Sequence, residues 1–176
     1  MPMKADTWWG GDLPTELVDP DARWQELGVD TIHDLEKEAS RWTVDPRVPA
    51  GKAKLLAVAR SLFCHSYFTY EYLLVSTVWG LFSLEAGLRD VLGASEKRNL
   101  VELVDEAHRR GLVSDGQREM LHFARQFRNK LAHPKEQQAF TVGVSAPILE
   151  MIHDVVGQIY RGGEAEPPDG SNGGAV

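Results

Sequence analysis

The chain has 176 residues, 26 acidic and 19 basic, for a formal net charge of −7, and 43% of it is hydrophobic. That length fits one domain with a core large enough to fold alone, and the negative balance argues against a general nucleic-acid binder. Cys64 is the only cysteine, which excludes an intrachain disulfide, leaves no zinc pattern and fits a reducing, cytoplasmic compartment; no metal or cofactor is expected. The N-terminus lacks the basic-then-apolar layout of a signal peptide, and the uncharged run Tyr72 to Leu84 is too short to span a bilayer, so no membrane association is expected.

The charge is unevenly spread. Residues 1–50 carry net −6 and residues 162–176 carry three acidic and no basic groups, which leaves the middle at net +2. Within it, His108 to Lys135 holds 7 basic against 2 acidic residues, a local basic surface sufficient for a transient anionic substrate. The chain therefore divides into an acidic N-terminal appendage (1–49), a helical domain (50–161) and a Gly/Pro/acidic tail (162–176) expected to be disordered.

Taken in order, residues 1–13 look irregular, with Trp8 and Trp9 beside Gly10 and Gly11; docking of the indoles onto the body and anchoring of a partner are both open. One short helix is expected within 14–28 and another over 31–42, capped by Asp30 or Thr31, with Ile32, Leu35 and Trp42 inward. Two prolines make Asp45 to Gly51 a linker. This acidic segment either packs at the periphery or covers the basic groove. Gly51 to Tyr67 is helical by pattern, Leu55, Val58, Ala59, Leu62 and Phe63 recurring at helical spacing. His65, amid aromatics, reads as a satisfied core or boundary histidine.

The central helix runs from Thr69 or Tyr70 to Leu92. It is apolar nearly all round until Glu85, which predicts burial of its first half on most sides, and Gly80 and Gly87 allow close helix approach. Glu85 and Arg89, four apart, make either a surface pair or a support for a site. Gly93 ends this helix. The next starts at Ser95 with Arg98 and runs to about Arg110, with Leu100, Leu103, Val104 and Ala107 inward and Gly111 at its C-terminal cap. Ser114 with Gln117 is a capping box opening a helix to His133, with Met120, Ala124, Phe127 and Leu131 on its core face and Phe123 at the edge. Arg118, His122, Arg125, Asn129 and His133 share the opposite face. After an irregular stretch following Pro134, Ser145 caps a last helix with Pro147 in its first turn. Ile148, Met151, Ile152, Val155, Val156 and Ile159 give that helix a broad apolar face.

The chemistry concentrates in Arg128-Asn129-Lys130-Leu131-Ala132-His133-Pro134. Pro134 disfavours helix at the residue before it, which places His133 in the last turn, where the negative end of the helix dipole favours imidazolium. Asn129, one turn earlier, can hydrogen-bond a ring nitrogen and fix the tautomer. Arg128 lies roughly 140° around the helix from His133 at about 100° per residue, so the two flank a groove. A phosphate between them would meet guanidinium on its oxygens and imidazole at the attacking or leaving oxygen. The plainer alternative is an Arg and a His that are solvated or cap carbonyls.

This stretch, Arg128-Asn129-x-x-x-His133 within "RNKLAHP", resembles the motif of HEPN domains, and Trp79 to Gly93, "WGLFSLEAGLRDVLG", is similar to their second-helix pattern. The resemblance covers roughly residues 50–161. It implies an all-α, up-and-down helical bundle and, in many members, a metal-independent endoribonuclease of toxin–antitoxin, phage-defence or stress systems, in which the ribose 2′-hydroxyl attacks the adjacent phosphate. It implies a homodimer whose two motifs form one composite site, an RNA substrate and, for toxin members, an antitoxin partner. Carried over by position, Arg128 and His133 are the catalytic pair, Asn129 orients it and Glu85 supports it; Arg118, Arg125 and Lys130 on the same helix are the expected substrate-binding residues. Some toxin members carry a modified tyrosine two residues after the histidine; Lys135 stands there, which excludes that form of control. Other members have lost activity, so a non-catalytic nucleotide- or protein-binding module remains the alternative.

Overall fold

Strong helix-stop and helix-start signals divide the chain. The computed structural model describes residues 19–131 and 141–162, with side chains over 19–126 and 141–162, and these residues form seven α-helices and no strand: α1 Arg23–Glu26, α2 Ile32–Ala39, α3 Ala50–His65, α4 Tyr72–Leu92, α5 Leu100–Arg109, α6 Asp115–Leu131 and α7 Val142–Gly162. The expected all-α class is what the chain adopts. Thr31 opens α2, its backbone N–H donating to Asp34 Oδ2 at 2.9 Å. Gly93 (φ 61°) and Gly111 (φ 73°) close α4 and α5 in the left-handed region; the N–H groups of Ala94 and Leu112 donate to the carbonyls of Arg89 and Ala107, satisfying acceptors the helix leaves open.

Four long helices make an up-and-down bundle. Ser83 Oγ donates to Lys52 O at 2.9 Å and Lys52 pairs with Asp90, so the start of α3 lies beside the end of α4 and the two run antiparallel. α7 runs parallel to α4: a Cβ at Gly80 would lie 3.1 Å from Leu149 Cδ2, and one at Gly87 3.1 Å from Ile159 Cδ1. The two glycines thus do what their spacing predicts, letting α4 and α7 approach closely. Gln117 Nε2 donates to Gln158 Oε1 at 3.2 Å, while Met120 shares a cleft with Pro147 and Met151, so α6 runs antiparallel to α7. Among the described helices α4 touches α3, α5, α6 and α7, and its Leu73, Leu81, Leu84 and Leu88 are fully buried.

Several expectations about which residues face inward need correction. In α3 the buried stripe is Leu56, Ala59 and Phe63, not one begun by Leu55. α5 starts at Leu100 rather than Ser95, because Asn99 supplies the cap by accepting from Glu102 N at 3.1 Å. α7 starts at Val142, three residues before Ser145, whose hydroxyl instead donates back to Thr141 O at 3.2 Å; the last apolar face takes Leu149 into the core and leaves Met151 half-buried. The first half of α4 is buried or half-buried as expected except at Tyr72 and Phe82, which are 37% and 39% exposed.

Residues 19–49 belong to the same core. Trp24, Leu35, Ala39 and Trp42 are fully or almost fully buried. The Trp24 indole donates to Ser66 O at 2.7 Å, and Trp42 stacks edge-on against Phe63 at 4.6 Å. Among the described residues α2 touches α3 and α7.

Candidate functional site

α6 carries the expected site, and its start is built as the sequence indicates. Ser114 N donates to Gln117 Oε1 at 2.9 Å and Gln117 N to Ser114 Oγ at 3.3 Å, a reciprocal capping box. Its core face is rotated from the expected one. Leu121 and Ala124 are buried, whereas Met120 is 38% and Phe123 46% exposed. Both choices satisfy helical periodicity; contact with α4, α5 and α7 selects the one that buries Leu121.

Two of the polar residues expected along α6 converge on an acid from α5. Arg118 Nε lies 2.7 Å and His122 Nε2 3.1 Å from the same oxygen, Asp105 Oδ1. The Arg118 guanidinium, and after it the His122 ring, hold the Asp105 carboxyl below the usual carboxylate range. A neutral His122 donates through Nε2 in this arrangement and leaves Nδ1 as its acceptor. Asp105 was not anticipated from the sequence. The available signal was the cationic pair Arg118 and His122, four residues apart, facing a helix whose other face is apolar. Arg118 is therefore a clamp between α5 and α6 before it is a substrate contact. Arg125, two turns on from Arg118, is half-buried, and its Nε is buried with no hydrogen-bond partner.

On α4, Arg89 Nη2 donates to Glu85 Oε1 at 2.5 Å and to Arg98 O at 3.0 Å. The i,i+4 pair thus forms and also ties the α4–α5 turn to the helix. Glu85 is mostly buried, its side chain 13% exposed. Arg128, Asn129 and Lys130 lie on the α6 backbone, but their side chains are outside the described ones, and His133, with Pro134 and Lys135, is outside the described residues altogether. The link from Glu85 to Arg128, and from Arg128 to His133, therefore falls beyond the described side chains.

A second polar cluster lies on the far side of the bundle. His65 is exposed, its Nδ1 donating to Ser61 O at 2.8 Å; the core histidine is His153, 1% exposed. His153 Nδ1 donates to Leu149 O at 2.7 Å, its ring lies 5.6 Å from the Trp42 indole, and burial pushes its pKa down. Its Nε2 and Trp42 Nε1 are both buried without hydrogen-bond partners. With Glu36, Arg60, Ser61 and Cys64 it lines a cleft of about 460 Å³. Among the described residues no group of three or more His, Cys, Asp or Glu is placed to hold a metal ion, and no helix is long and apolar enough to cross a membrane.

No family model, curated protein or solved structure matches the chain.

Proposed function

We propose that the chain is a metal-independent endoribonuclease of the HEPN kind that acts as a homodimer, with Arg128 and His133 as its catalytic pair and Asn129 orienting the ring. The observation that supports this most is the course of α6. It starts at the Ser114–Gln117 box and continues to Leu131, so Arg128 and Asn129 stand in its last turn, inside an all-helical bundle. Internal attack on a phosphodiester needs a base for the 2′-hydroxyl, an acid for the 5′-oxygen and cations on the phosphate. One chain offers one motif histidine; two chains about a two-fold axis offer two histidines and two arginines. Glu85, Arg125 and Lys130 are the supporting and substrate-binding residues of this proposal. Arg118 enters it only if substrate displaces Asp105.

The test is incubation of the purified chain with mixed RNA in EDTA. Fragments ending in 2′,3′-cyclic phosphate are expected. His133→Ala should lower cleavage by at least about 100-fold through loss of a positioned proton-transfer group, and Arg128→Ala by at least about 100-fold through loss of a cation on the phosphate, with helical circular dichroism unchanged. Full activity in either variant rejects the assignment. Intact RNA alongside saturable nucleotide or protein binding assigns the chain to the non-catalytic module instead.

A further inference from the structure

Where α2 and α3 meet α7, two buried polar atoms have no hydrogen-bond partner among the described residues, Trp42 Nε1 and His153 Nε2. Both side chains are 1% exposed, and their ring centroids lie 5.6 Å apart. His153 Nδ1 donates to Leu149 O on its own helix, so Nε2 carries the lone pair, at a ring position away from that carbonyl. Trp42 Nε1 is its complement, a donor only. A buried donor and a buried acceptor each cost desolvation free energy until something pairs with them. His153 also lines the cleft of about 460 Å³ whose walls come from α2, the turn after it and α3, a size within the roughly 300–1,000 Å³ of small-molecule sites. The inner part of this cleft is uncharged. Burial keeps His153 neutral, and burial, with the Glu36 carboxylate after it, holds the Cys64 thiol protonated. Val44 and Ala57 add apolar wall. The charges stand at the rim. Arg60 is exposed and has no hydrogen bond or ion pair among the described residues, and its charge acts on both Cys64 and His153. Glu36, 51% exposed at its side chain, pairs with His33 at 2.6 Å.

We propose that this cleft binds a small hydroxy-carboxylate, with one carboxylate at the rim on the Arg60 guanidinium, an apolar body along the wall and one hydroxyl at the floor. The hydroxyl accepts from Trp42 Nε1–H and donates to His153 Nε2, so a single group satisfies both unpaired atoms. A carbonyl or ether only accepts and an ammonium only donates, so neither fills both roles. Guanidinium and carboxylate match as a two-bonded fork. Glu36 sets one negative charge across from Arg60, which favours a single carboxylate over a doubly charged phosphate. The site is built on α2, α3 and α7 and takes no residue from α6, so it stands whether or not the chain cuts RNA.

The probes are meta- and para-hydroxybenzoate, with benzoate as the analogue that lacks the hydroxyl. Each is titrated into the full-length chain by calorimetry and followed in proton–nitrogen NMR spectra of the indole groups. At least one hydroxybenzoate is expected to bind saturably and to move the Trp42 Nε1–H resonance. Benzoate should bind at least about tenfold more weakly, the loss that follows when a buried polar group is left unmet. Arg60→Gln should weaken hydroxybenzoate by at least about tenfold through loss of the charge-assisted pair, with circular dichroism unchanged. In His153→Leu the advantage of hydroxybenzoate over benzoate should vanish. Should His153→Leu not fold, the benzoate comparison and Arg60→Gln still decide the matter. No saturable binding of either isomer up to its solubility limit overturns the proposal. So does binding indifferent to both the hydroxyl and Arg60, or binding that leaves the Trp42 resonance in place. Tighter binding of para-hydroxyphenyl phosphate than of para-hydroxybenzoate overturns it as well.

Discussion

His153 keeps an imidazole in the core with one nitrogen bonded to Leu149 O and the other without a partner. Burial disfavours its charged form, and Arg60 adds to that while Asp154 opposes it. The native pKa is therefore below the unfolded value of about 6.5. Below that pH the unfolded chain binds the proton first, so the stability due to a neutral His153 is complete above about pH 6.5 and is lost as pH falls toward the native pKa. Thermal melts between pH 7.5 and 5 should show a falling Tm that flattens in His153→Leu, and an equal slope in the variant would remove His153 from the account. Asp105 is a different case. It is a partly exposed anion shared by Arg118 and His122, and such pairs contribute at most about 1 kcal/mol. Asp105→Ala should change Tm little but free both cations, so a rise in affinity for a short oligonucleotide, measured by anisotropy, is expected if α6 is a substrate track.

At the scale of single elements, close approach and capping do most of the positioning. Gly80 on α4 sits against Leu149 and Ile152. An alanine there would gain about 1 kcal/mol of helix propensity and spend it on a 3.1 Å contact with Leu149, so Gly80→Ala should be close to neutral. Gly80→Leu should destabilise by about 1–3 kcal/mol through overpacking, measured by urea unfolding; equal stability of the two variants would mean that α4 and α7 are not in close contact. The reciprocal cap at Ser114 and Gln117 starts α6, and Ser114→Ala should cost about 1 kcal/mol. These features were legible from sequence because they depend on neighbours three, four or seven residues away. The face α6 turns inward was not: Met120 and Leu121 each begin a plausible apolar stripe, and only contact with other helices decides between them.

For the whole molecule, the acidic N-terminal part and the bundle share one core. Trp24, Leu35 and Trp42 are buried with the leucines of α4, although composition had set residues 1–49 apart as an appendage. Deleting residues 1–49 should therefore abolish a cooperative thermal transition, and Trp42→Ala alone should cost about 3–5 kcal/mol. A truncated chain that melts sharply near the wild-type Tm would show that the bundle folds by itself.

By itself the sequence determined the all-helical class, the stops at Gly93 and Gly111, the cap of α6 and the Gly80–Gly87 approach, because each is a matter of backbone conformation or short-range spacing. It also carried the Arg128–His133 motif as a pattern of residue types. Only the tertiary structure decided that Leu56 and Leu121 face inward, that His153 rather than His65 is the buried histidine, and that Asp105 joins Arg118 to His122. Periodicity fixes the angle between residues on one helix, but the neighbouring helices decide which side of that helix is removed from water.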